Sequence, residues 1–125
     1  MAVAYESIAS ATGSFNGVAQ ELTITKPAGL AAGDVLVAIM AYITNSGTPP
    51  SLSKTGWTAV GSEILDTADF RFTVLSKIAD AGDAAAANFT FTWSAGNGNG
   101  ETGGLGILMR FSGTYVPTIV SGDQD

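Results

Sequence analysis

The chain has 125 residues, neither cysteine nor histidine, a net charge of −6, and 13% charged against 46% hydrophobic residues with 16 glycines. That length suits one domain with a self-sufficient core, while the missing side chains rule out disulfides, thiolate metal sites and every Ser-His-Asp or Cys-His scheme, and all but exclude zinc chemistry. Eleven acids against five bases with no basic cluster would repel phosphate backbones, so no nucleic-acid partner is expected.

From the N-terminus, Ala2 to Ala11 alternates loosely, with Val3, Tyr5 and Ser7 on one face and Ala4, Glu6 and Ile8 on the other, as in an edge strand. Met1 to Ser7 lacks the basic and apolar regions of a signal peptide, which points to assembly in a cytoplasm. Val18 to Lys26 ends in a half-buried strand, Leu22 and Ile24 sharing one face and Thr23 and Thr25 the other. Pro27-Ala28-Gly29 and Gly33-Asp34 read as turns, with Leu30-Ala31-Ala32 as loop between them. Val35 to Ile43 is the longest apolar run, about half of the ~20 residues a membrane helix needs. It reads as a buried central strand, and no membrane partner is expected.

Thr44 to Ser53, with Pro49 and Pro50, reads as an exposed, turn-rich connection. Trp57–Val60 and Ser62–Leu65 are short strand candidates broken at Gly61, and Asp66 to Asp69 turns the chain. Next, Phe70, Phe72, Val74, Ser76 and Ile78 alternate with Arg71, Thr73, Leu75 and Lys77, one of these faces being core. In Asn88 to Trp93, Phe89, Phe91 and Trp93 alternate with Asn88, Thr90 and Thr92, and the Asp80–Asp83 turn with its alanines predicts a hairpin between these two strands. Ser94 to Gly104, with two Asn-Gly pairs, predicts a mobile loop. Leu105 to Gly113 predicts the last strand and Thr114 to Asp125 a tail. The expected fold is all-β: a single-domain, jelly-roll-like sandwich of seven or eight strands over residues 1–113, with 114–125 as a C-terminal arm.

No constellation in the chain carries a catalytic signature. Gly98, Gly100 and Gly103 spell G-x-G-x-x-G, but a dinucleotide site needs a helix N-terminus after the glycines, and strand-like residues follow. Asp66 with Asp69, Asp80 with Asp83, and Glu101 could offer oxygen ligands to calcium; acids at turns more often bond their own backbone. A carboxylate-pair hydrolase would need two acids converging across a cleft, whereas most acids here fall at turns or on solvent faces. Trp57, Phe70, Phe72, Phe89, Phe91 and Trp93 are expected in the core rather than on a sugar-binding platform. Asn88-Phe89-Thr90 matches a glycosylation sequon by coincidence. Neither cofactor nor metal is expected. The candidate partner contacts are Tyr5, Pro49, Pro50, Asn97, Asn99, Tyr115 and Pro117, with Tyr42 as a further aromatic candidate.

Three stretches carry a family likeness: Ile24 to Gly29 running into Gly33 to Ala38, then Gly56-Trp57-Thr58, then Leu75 to Ala79 followed by Phe89-Thr90-Phe91, with Arg110 to Gly113 as a closing "RFSG". Over roughly residues 20 to 113 they resemble a family of phage virion proteins, found as β-sandwich modules of tail fibres and as small head-associated proteins. The resemblance implies a non-enzymatic role in assembly. Longer relatives continue into a second unit after this closing strand, whereas this chain stops soon after it, which favours a capsid decoration protein that contacts the major capsid protein as a homo-oligomer, trimer or dimer. The other reading is a tail fibre or spike module whose Thr44–Ser53 and Ser94–Gly104 loops meet a host glycan or receptor.

Overall fold

The computed structural model describes residues 3–15, 20–44, 49–66, 70–94 and 102–113. Eight strands follow one another as β1 (Ala4–Phe15), β2 (Glu21–Thr25), β3 (Val35–Thr44), β4 (Thr58–Ala59), β5 (Ile64–Asp66), β6 (Phe70–Ile78), β7 (Asn88–Thr92) and β8 (Thr102–Ser112), with a five-residue helix, α1 (Ala81–Ala85), before β7. They form two antiparallel layers. The larger has the order β1-β8-β3-β6-β4, with β5 also on β6; the smaller pairs β2 with β7.

The pairing is nested: β1 with β8, β2 with β7 and β3 with β6. That is a long hairpin folded over on itself, the plan of a jelly roll. It departs from the full plan at its tip, where β4 and β5 do not pair with each other but both lie along β6.

Period-two patterning places the core between the layers. In β2 the burial alternates so that Leu22 and Ile24 point inward and their neighbours outward. From the opposing strand Phe89, Phe91 and Trp93 meet them, and from the large sheet come Leu36, Ala38, Met40, Tyr42, Leu75 and Leu108. Burying each large apolar side chain contributes about 1.5–3 kcal/mol, so these inward rows fix which face of each strand is core.

Several sequence expectations are corrected here. The hairpin between β6 and β7 does not form, because β3 occupies one edge of β6 and β4 and β5 the other. Instead α1 carries the chain across to the small sheet, where β7 pairs with β2. Asp80 caps the helix, accepting from the Asp83 amide at 2.9 Å, while the Asp83 carboxylate accepts from the Asp80 amide at 2.9 Å. These two acids are therefore a capping box, as turn acids more often are than cation ligands.

In β6 the inward face is the more polar one. Thr73 and Leu75 stand opposite the fully buried Met40 and Ala38, so Phe70, Phe72 and Val74 lie half-buried on the outside of the sheet, not in the core. In β1 a bulge between Tyr5 and Ser7 resets the alternation, so Tyr5 and Ile8 share the outer face. Strand β8 begins at Thr102, three residues earlier than Leu105, because Gly103 and Gly104 pair with β1 and β3. β1 stands at the sheet edge, β3 at its centre, and Leu30 to Ala32 forms turns rather than helix, all as the sequence suggests.

Candidate interaction surface

Of the contacts expected from sequence, Tyr5 is exposed, at 55%, at the start of β1, its ring edge-on to Phe111 with centroids 6.0 Å apart. Pro49 and Pro50 are buried, Pro49 fully, so they are corrected from contacts to core. Leu52, two residues on, bridges to Trp93 and is itself buried, which draws this segment over the end of the sandwich; there a proline ring fills apolar space, and its missing N–H breaks no ladder. Tyr42 is likewise core, stacked on Phe15 at 5.6 Å and tilted against Trp93 at 5.6 Å. Asn97, Asn99, Tyr115 and Pro117 lie outside the described residues, as do Gly98, Gly100, Asp69 and Glu101.

Asp34 and Arg110 hold the loop between β2 and β3. Asp34 Oδ2 accepts from the Ala31 amide at 2.9 Å and from Arg110 Nε at 2.6 Å, while Arg110 Nη1 donates to the Ala28 carbonyl at 3.1 Å. Burial opposes ionisation of Asp34, but the Ala31 amide and the Arg110 guanidinium outweigh it and hold the carboxyl below its ordinary value. Gly29 has φ +74°, which favours glycine in this turn, and a Cβ there would lie 2.7 Å from Arg110 Nη1, so the guanidinium would have to shift. Lys26 donates to the Ala84 carbonyl at 2.6 Å and ties this loop to α1. In "GWT", Gly56 has φ +83° and Trp57 packs edge-on against Phe91 at 5.3 Å. Lys77 pairs with Asp83 at 2.7 Å and with Asp80 at 3.2 Å; chiefly through the Asp83 bond, its ammonium is held above its ordinary pKa.

These groups are committed to turns, caps and ion pairs, and among the described residues no three acids cluster where a cation could bind. What the fold leaves partly presented is the outer face of the large sheet, where Val35, Ala41 and Ser76 are buried by their neighbours, the central side chains are half-buried and those towards its margins are exposed. The registers put Val37 and Ile39 of β3 beside Met109 and Ile107 of β8, and Ile39 beside Val74 of β6. Leu105 and Phe72 flank Ala41, and Ile8 of β1 lies opposite Met109. Tyr5, Ile8, Ile43, Ile64, Ile78 and Leu105, six of the eight exposed large apolar side chains, lie on this face. Searches against protein-family models, curated proteins and solved structures return no match to this chain.

The outer face is the feature that the sequence reading missed. Its signal is the unbroken apolar run Val35 to Ile43: a strand with one solvated face alternates, whereas a strand covered on both faces does not.

Proposed function

We propose that this chain is a non-enzymatic structural protein of a phage virion, a capsid decoration protein that binds as a homo-oligomer and bridges neighbouring major capsid subunits. The observation that carries the reading is the broad apolar outer sheet face on a sandwich whose described ionic groups are largely held in structural pairs and caps. Contiguous exposed apolar surface on a folded chain marks an interaction site, and the family likeness in the Lys26–Ala38 and Arg110–Gly113 segments supplies the virion setting. A shell-bridging protein needs a rigid body that makes many modest contacts, and an all-β layer pair of this kind is such a body.

The test is binding of the purified protein to expanded phage heads. Saturable binding at a fixed number of copies per capsid subunit supports decoration, and no binding to any head lattice sinks it. The fibre-module reading loses Pro49 and Pro50 as glycan contacts, since both are buried; hits on a glycan array would restore it.

A further inference from the structure

The outer face of the large sheet has a chemistry that a solvated sheet face does not. Four strands, β1, β8, β3 and β6, carry most of it, and Ile64 of β5 extends it at the β6 edge. β3 has no charged residue, and those of β8 and β6 project the other way: Arg110 and Lys77 are opposite the inward-facing Leu36, and Arg71 is opposite the inward-facing Tyr42. Each of the three is ion-paired there, to Asp34, to Asp80 and Asp83, and to Glu63. The single charge of β1, Glu6, sits in the bulge and accepts from the Ser112 hydroxyl at 2.6 Å. The outer face of these strands is thus apolar or hydroxylic throughout, on a chain of net charge −6.

We infer that this face is a self-association surface, on which a second copy of the chain stacks sheet against sheet about a two-fold axis. Three features select that occupant. The outer rows of β1, β8, β3 and β6 carry no charge, so two chains of like net charge can meet there without setting acid against acid, and the remaining repulsion stays at a distance where salt screens it. An uncharged sheet face can meet its own copy, as an isologous contact demands, and apolar sheet faces already pack in this way inside the sandwich itself. The extent is right as well: nine-residue pairing at ~3.3 Å per residue and strands ~4.8 Å apart give a patch of about 30 by 19 Å. That is close to 600 Å² in projection and more over the side-chain relief, against about 800 Å² per partner in a standard interface. The inference rests on the homo-oligomer part of the proposed function and narrows it to a dimer and to one face.

The test is the mass of the whole purified chain by sedimentation equilibrium over a dilution series, with circular dichroism to confirm folding. The expected mass is twice the 12.6 kDa of one chain, falling to one chain on dilution. Leu105→Glu and Ile8→Glu, both at exposed positions on the face, should weaken the dimer by about tenfold or more. Leu65→Glu, equally exposed but opposite Arg71 on the other side of the sheet, should leave the dimer unchanged. If either face variant fails to fold, Ile78→Glu at the end of β6 replaces it, and the wild-type melting temperature should in any case rise with concentration. A monomer at every concentration, a trimer, or equal loss from Leu65→Glu overturns the inference; a monomer that covers this face only on the particle would assign it to the capsid protein instead. Head binding is read on particles and mass on the free protein, so either result can fail while the other stands.

Discussion

Gly106 shows how closely the two layers approach. It lies on the inward face of β8 opposite Met40, and a Cβ there would come within 2.7 Å of Ile24 Cδ1 and 2.9 Å of both Leu22 Cδ2 and Met40 Cε. Three buried side-chain ends would have to shift together, so Gly106→Ala is expected to cost about 1–3 kcal/mol, read as a lower urea midpoint with an unchanged slope. Asp34 and Arg110 form the other residue-scale feature. Arg110→Ala leaves a buried carboxylate with only the Ala31 amide and should cost on the order of 2–3 kcal/mol. Because the folded pKa of Asp34 is depressed, its contribution is fully present above the ordinary carboxylate value of about 4 and is lost as pH falls below it. An acid titration of stability should therefore show a steeper loss below pH ~4 in the wild type than in Asp34→Asn.

At the scale of elements, α1 is too short to stand by itself and is held by its cap and by Lys77. Asp80→Ala should lower the melting temperature, since it removes the acceptor for the Asp83 amide. Lys77 has a raised folded pKa, so its contribution is complete below the ordinary lysine value of about 10.4 and disappears as pH rises through the folded one. Lys77→Met should flatten stability across that alkaline window. Amide exchange should rank the strands by their neighbours: β3, hydrogen-bonded on both sides, exchanges most slowly, and β1, with β8 on one side only, exchanges faster. Equal protection of β1 and β3 in the dilute protein would contradict that ordering.

Strands were legible where alternation was clear, as in β2 and β7, or where an unbroken apolar run marked a central strand, as in β3. The inward face of β6 was not. Phe70 and Phe72 are the larger apolar residues, and sequence alone favours them as core, but the register with β3 turns Thr73 and Leu75 inward. Pro49 and Pro50 misled for a related reason: composition marks a turn, while only the course of the chain towards Leu52 and Trp93 decides whether that turn lies on water or on the core. The site was less legible than the fold. Of the residues expected to touch a partner, Tyr5 is exposed beside the outer face, and the apolar breadth of that face comes from four strands far apart in sequence.

On the scale of the whole molecule, nested pairing gives the fold a high share of contacts between distant segments, and folding through such pairings is slow relative to helical proteins of similar size. Composition and period-two patterning by themselves determined that the chain would be a cysteine-free, all-β sandwich with a central apolar strand, because side-chain alternation and turn chemistry are local properties. Which strands pair, which face of β6 looks inward, and that a charge-free surface spans four strands were decided only by the tertiary structure. Register and layer assignment depend on which edges are already occupied, and that is a property of the assembled sheet rather than of any one segment.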